Sequence, residues 1–306
     1  MKKLVALLLT AIAIGVCAAE RPVVKIETGS LQGVIEYNMQ AFKNIPYAAP
    51  PVGDLRWRPP QPALAWNGTR DASKFGGACP QQYIKNLNDG LGLPGSEDCL
   101  KLNVFTPSKP NKNLPVMVWF HGGGLIVDGA KDPQFTPINL VKNGVIVITV
   151  DYRLGSLGFF ASKELIEEAK AKGEQVGNYG TMDQIAVLKW VKRNIAAFGG
   201  NPNNVTIFGE SAGARSVTWL MVSDAARGLF HRAIAESAQQ SPIRGLTEKR
   251  LGLAPATEIA SKYMATLGVK SLKELRSLPT QNLVLTAAEQ KAGEFGGSMI
   301  DGQILK

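Results

Sequence analysis

The run Asn204 to Val217, NVTIFGESAGARSV, restricts the fold of this chain more than any other. Val205, Thr206, Ile207 and Phe208 are four β-formers in succession, and a helix-compatible segment follows Gly213. Gly209 and Gly213 stand two residues to either side of Ser211. The run therefore reads as a strand, a sharp turn and a helix, with two glycines letting the strand and helix backbones approach with no Cβ between them. Such a turn lifts the serine hydroxyl clear of the sheet edge. It also sets Ser211 at a helix N-terminus, where unpaired amides and the helix dipole favour developing negative charge.

Ninety residues upstream, the apolar strand Val116 to Phe120 runs directly into His121-Gly122-Gly123-Gly124. A glycine-rich loop after a buried strand exposes backbone N–H groups to an oxyanion, which the elbow serine would generate in acyl transfer. Three glycines alone are an ordinary turn. Two such motifs in this order, each behind a strand, point to a serine hydrolase.

The other elements fall around these two. Val23 to Tyr37 reads as a small antiparallel hairpin around Gly29 and Gly33, and the prolines at 46, 50, 51, 59, 60 and 62 keep the next stretch extended. Leu100 to Phe105 is a strand, and Val145 to Val150 is a continuous apolar run of the kind buried on both faces of a parallel sheet. Lys163 to Lys172 reads as a charged, exposed helix. Ile185, Leu188, Val191, Ile195 and Phe198 form one apolar helix face that ends at Gly199-Gly200. Because Asn201-Pro202 then turns the chain into the elbow strand, these elements make a βαβ unit, expected to be right-handed. Beyond the elbow, Phe230 to Glu236 reads as a strand, and Ala254 to Leu267 and Ser271 to Leu278 as helices.

Composition narrows the function. The net charge of +9 is dispersed, with basic residues in runs no longer than two, so no nucleic-acid-binding stripe is expected. Lys2 and Lys3 precede the apolar segment Leu4 to Val16, and Cys17-Ala18-Ala19 supplies small residues for cleavage. Residues 1–19 thus read as a secretory signal peptide, too short to span a bilayer stably, and the protein is expected to be secreted or periplasmic. Removing the signal leaves Cys79 and Cys99. In an oxidising compartment an even count reads as a disulfide, the alternative being two buried thiols. Only two histidines, His121 and His231, occur in the chain, so a metal centre is not expected.

With these residues in view, the sequence resembles the type-B carboxylesterases, the cholinesterase-like branch of the α/β-hydrolases. The likeness rests on Ile45 to Pro62, Glu97 to Pro107, His121 to Gly124, Tyr152 to Phe159 (YRLGSLGF), Gly177 to Gln184 (GNYGTMDQ) and Asn194 to Val217. It implies an α/β-hydrolase fold, a mostly parallel central sheet flanked by helices, with residues 20–306 as a partial domain truncated at its C-terminus. It also implies that Ser211 is the nucleophile, that the amides of Gly123, Gly124 and Ala212 form the oxyanion hole, and that Cys79 pairs with Cys99. Glu210, shared with the family, is expected either to tune the charge of the site or to serve structure. The substrate expected is a small carboxylic ester, hydrolysed through an acyl-enzyme without a cofactor.

Three departures qualify the likeness. In the family an acid and then a histidine complete the triad well beyond the elbow, whereas His121 belongs to the glycine loop and His231 reads as a structural residue. The expectation is therefore that the chain is the N-terminal portion of a longer enzyme, with an inactive binding or adhesion domain as the rival reading and a lipase as a third. The segment Gln81 to Asp98 offers Tyr83 where cholinesterases hold a choline on tryptophan, so choline esters are disfavoured. Arg215 follows Ser211 by one helical turn, where the resemblance leads one to expect a small or apolar residue, and either reads an anionic acyl group or is simply solvated. Asn67-Gly68-Thr69 and Asn204-Val205-Thr206 match the glycosylation pattern, the second on a buried strand.

Overall fold

A computed structural model describes residues 21–85, 89–93, 95–109, 112–238, 242–284 and 297–306. The expected signal segment lies outside them. Among the described residues ten strands form two sheets. The smaller contains β1 (Val23–Ile26), β2 (Gly29–Gln32) and β5 (Thr69–Asp71). The larger joins seven strands in the order β10-β9-β7-β8-β6-β4-β3: β3 is Val34–Glu36, β4 Met39–Pro46, β6 Lys101–Pro107, β7 Leu114–Phe120, β8 Ile146–Val150, β9 Gly200–Glu210 and β10 Arg232–Glu236.

The expected parallelism belongs to the half of the sheet that carries the elbow, where β10, β9, β7 and β8 run parallel. The other half, β8-β6-β4-β3, is antiparallel. A crossover of about a dozen residues or more is needed to return a chain parallel to itself, and the tight turn at Tyr37-Asn38 between β3 and β4 permits only an antiparallel return. The expected hairpin at Val23 to Tyr37 is split accordingly. β1 and β2 pair with each other, while Gly33 passes the chain into β3 of the larger sheet.

The α-helices of the described residues are α1 (Ile138–Lys142), α2 (Gly155–Gly158), α3 (Lys163–Lys172), α4 (Tyr179–Asn194), α5 (Ala212–Val222), α6 (Ala256–Thr266), α7 (Leu272–Ser277) and α8 (Thr280–Leu283). The limits of α3 follow from its ends. The Ser162 hydroxyl accepts the Leu165 amide at 3.2 Å, and Gly173 closes the helix in the left-handed region. Helix α4 begins six residues before the apolar face read from Ile185, because its first turns, Tyr179 to Gln184, are buried on every side. Helix α6 starts after Pro255, whose fixed φ suits a helix entrance.

β8 is buried along its whole length, and α4 and α5 pack their apolar faces on the parallel strands. Each aliphatic side chain removed from water in this layer is worth about 1.5–3 kcal/mol. β7 is buried on one face only, since Met117 and Trp119 are half-buried on the other. The motifs that carry the resemblance serve as fastenings. Arg153, after β8, holds Asp183 of α4 through Nε at 2.8 Å and Nη2 at 2.7 Å, and Arg56 holds Glu97 through two bonds of 2.7 and 2.6 Å. Cys79 and Cys99 form a disulfide. Among the described residues no helix is long and apolar enough to cross a membrane, and no group of three or more potential metal ligands occurs.

Candidate active site

β9 ends at Glu210, α5 begins at Ala212, and Ser211 alone makes the turn, with φ 54° and ψ −116°. An L-residue is strained there, at a cost of about 1–3 kcal/mol. The surroundings enforce it. Ser211 N donates to Glu236 O of β10 at 2.9 Å, and Ser211 O accepts the Arg215 amide at 3.0 Å to start the helix. A Cβ on Gly209 would stand 2.6 Å from the Gly213 carbonyl carbon and 2.7 Å from Phe120 O. Glycine at both positions is what lets β9, β7 and α5 meet.

The glycine loop lies against this turn. A Cβ on Gly122 would be 3.1 Å from both Glu210 O and Glu210 Oε2, and 3.5 Å from Ser211 Cβ. Gly123 and Gly124 follow as the first two residues of a short 3-10 turn, with φ of 78° and 66°. Ala212 is the first residue of α5. N–H groups in the first turn of a helix have no preceding carbonyl to bond, and Ala212 is such a residue, whereas Gly123 and Gly124, expected to donate with it, both lie in the left-handed region. The structure thus brings together Ser211, Glu210 and the two segments from which the three amides come.

The chain has two histidines, and neither is placed as a base for Ser211. His121 is buried, its ring stacked on Tyr152 with centroids 4.4 Å apart, and the Tyr152 hydroxyl donates to His121 O at 2.7 Å. His121 Nδ1 stands 3.2 Å from Gly122 O, which requires the proton on that nitrogen and leaves Nε2 without a partner among the described residues. Burial lowers its pKa to about 4, so the ring is neutral at ordinary pH. His231 lies far away. Its Nδ1 accepts from Val205 N at 3.2 Å, and its own N–H donates to Val205 O at 2.8 Å. Val205 is six residues before Ser211, roughly 20 Å along β9.

Two buried carboxyls behind the glycine loop escaped the sequence reading. Asp128 is held at φ 86°, and a Cβ on Gly123 would come within 2.9 Å of its Cβ. Its Oδ1 accepts from Gly129 N at 2.7 Å, and Gln81 clamps its backbone with bonds of 2.6 Å to N and 2.7 Å to O. Asp151, at the end of β8, accepts from Ala130 N at 2.9 Å. Burial pushes Asp128 up to about 6 and Asp151 up to about 7. An acid that closely follows the apolar run Leu125-Ile126-Val127 was the one available sequence signal for Asp128.

Grooves of about 510 Å³, lined in part by Thr28, Tyr47 and Trp190, and about 370 Å³, lined by Trp119, Phe135 and Phe208, lie away from Ser211. Tyr83 is exposed on the segment that follows Cys79.

Residues 20–306 match the family model described as the carboxylesterase family. The chain is 38% identical over 276 residues to the para-nitrobenzyl esterase of Bacillus subtilis, covering 89% of this chain and 54% of that protein. It is 39% identical over 284 residues to the fumonisin B1 esterase of Sphingopyxis macrogoltabida, covering 92% and 51%. Among solved structures, a carboxylesterase from Geobacillus stearothermophilus superposes with a TM-score of 0.82 at 36% identity, over 93% of this chain and 57% of that one. The chain spans about half the length of the curated relatives it matches.

Proposed function

The chain belongs to the carboxylesterase family, and from that membership we propose that the protein hydrolyses carboxylic esters through an acyl-enzyme on Ser211. The observation that carries this reading is the strained turn at Ser211, which presents a hydroxyl at the N-terminus of α5 against the glycine loop. Strain of this kind persists only where the surrounding structure holds it, and it concentrates at active sites.

In the first step Ser211 Oγ bonds to the ester carbonyl carbon and its proton passes through a base to the departing alcohol as the C–O bond breaks. Water then attacks the acyl-enzyme, releases the acid and returns the proton to Ser211. In both steps the carbonyl oxygen becomes an oxyanion, and the amides of Gly123, Gly124 and Ala212 take its charge. Each such donor is typically worth about 3 to 4 kcal/mol of transition-state stabilisation. Glu210 sits close enough to shape the field there. A serine hydroxyl without a base is weakly nucleophilic, and neither histidine of this chain stands within hydrogen-bond reach of it. The assay therefore belongs on the longest form of the protein that its native source yields. The rival reading as an inactive binding domain finds no support among the esterases it matches.

Export through residues 1–19 is part of the proposal, supported by the Cys79–Cys99 disulfide, since such bonds persist in oxidising compartments. N-terminal sequencing of the native protein should begin near Glu20. For the chemistry, a fluorophosphonate should label the wild type once and fail on Ser211→Ala. Labelling that survives the substitution would refute the assignment.

A further inference from the structure

Helix α5 is buried through Ala212, Gly213, Ala214, Ser216, Val217, Trp219 and Leu220. Ser211, Arg215, Thr218 and Val222, at helical spacings of four, three and four, form the stripe left open or half open. Arg215 therefore shares the exposed face of the helix with the proposed nucleophile. One turn separates the two residues, about 6 Å along the axis, less than the reach of an extended arginine side chain.

Arg215 differs in its partners from the arginines that fasten the core. Arg56, Arg58, Arg153 and Arg276 each grip a carboxylate, those of Glu97, Glu174, Asp183 and Glu168. Arg215 is half-buried, and its guanidinium makes no hydrogen bond or ion pair among the described residues. Among the described residues it lies over the Trp219 ring, with the guanidinium carbon 5.9 Å from the centroid, near the limit of cation–π attraction. That contact leaves five N–H donors unused. Burial lowers the pKa of Arg215 from its ordinary value, so the cation is partly stripped of water without an anion in exchange. Its charge also reaches the hydroxyl of Tyr152, the group that fastens His121 at the root of the glycine loop.

We propose that Arg215 binds a carboxylate carried by the acyl part of the ester, so that hemiesters of short dicarboxylic acids are preferred substrates. This rests on the reading of Ser211 as the nucleophile. The acyl group stays attached to Ser211 after the alcohol leaves, so a cation fixed one turn away on the same helix faces it through both steps. A planar guanidinium suits a carboxylate because two parallel N–H bonds can form at once. It has no equivalent use for a neutral aliphatic acyl chain, whose burial beside it would leave the charge unpaired.

The test compares 4-nitrophenyl hydrogen glutarate with the neutral 4-nitrophenyl butyrate on the full-length protein, as a ratio of kcat/KM values. Arg215→Met should lower the glutarate-to-butyrate ratio by about ten- to a hundredfold, the range for a lost charge-assisted hydrogen bond, mainly through KM. Arg215→Lys should restore part of it. In the wild type, added salt should lower the same ratio. An Arg215→Met protein that melts like the wild type and keeps its ratio overturns the inference, as does a preference that follows a carboxylate placed on the alcohol side. Should the methionine variant fail to fold, the lysine variant and the salt series decide, and a ratio indifferent to salt overturns it. Butyrate hydrolysed without any charge effect rejects the role of Arg215 and leaves the esterase reading intact. Failure on both esters rejects that reading, and this one with it.

Discussion

Gly213 of α5 and Phe120 of β7 occupy one space: a Cβ on Gly213 would overlap the Phe120 carbonyl oxygen and stand 2.8 Å from His121 O. The backbone of the nucleophile helix is thereby seated on the strand that leads into the glycine loop. Two segments ninety residues apart meet where each supplies amides to the same proposed oxyanion.

Gly213→Ala cannot be relieved by turning a flexible side chain, because the obstacles are main-chain atoms. Overpacking of this kind costs about 1–3 kcal/mol and shifts backbone. The variant should unfold at lower urea concentration than the wild type and label with fluorophosphonate more slowly. Wild-type labelling kinetics would show that helix and loop do not depend on that contact.

Ser211→Gly should do the opposite to stability. Glycine adopts a positive φ without the serine's strain, so the variant is expected to gain about 1 kcal/mol while losing all labelling. Urea unfolding of the two proteins side by side checks the sign. A destabilised glycine variant would mean that the turn is not strained.

Arg153 and Asp183 are almost fully buried, with side-chain exposures of 4% and 0%. Removing one partner strands the other charge, and Arg153→Met should cost about 3–5 kcal/mol. The double variant Arg153→Met with Asp183→Leu should recover much of this, because an apolar pair of similar volume needs no solvation. A thermal melt of the wild type, both single variants and the double variant distinguishes the cases. A double-variant loss equal to the sum of the Arg153→Met and Asp183→Leu losses would show that the two residues act independently.

Asp151 links stability to pH. Burial raises it from 3.8 to about 7, and Asp128 to about 6, so the folded chain holds protons that the unfolded chain has released. Their contribution is complete below about pH 4 and is lost as pH rises toward 7. His121 opposes them. Lowered from 6.5 to about 4, it costs stability as pH falls through that interval. Asp151→Asn keeps an acceptor for Ala130 N and removes one titration. At pH 8 the variant should be more stable than the wild type by about 2–4 kcal/mol, and near pH 4 the two should agree. Parallel urea midpoints from pH 4 to 8 would contradict the assigned shift.

The elbow was legible because its constraint is written in residue types. Gly209 and Gly213 are needed where backbones touch, and four β-formers precede them. Helix α3 was legible from end to end, since Ser162 and Gly173 mark its limits chemically. Local sequence does not carry the rest. The antiparallel half of the sheet depends on where β4 and β6 dock, and the first turns of α4 lack a polar face because they are enclosed by neighbours from elsewhere in the chain. Asp128 and Asp151 look like any acids in the sequence, and tertiary burial alone makes them unusual. His231 was read as structural, and its bond to Val205 N agrees.

The Cys79–Cys99 disulfide bounds the segment that includes Gln81, whose side chain holds Asp128 at the back of the glycine loop, and Glu97, which holds Arg56. Redox history therefore becomes a hidden variable in laboratory preparations. Protein produced in a reducing cytoplasm would carry free thiols at both ends of this segment, and batches differing only in host or reductant would then differ in how firmly the loop is backed. Counting free thiols before each assay would separate that source of scatter from the effect of any substitution.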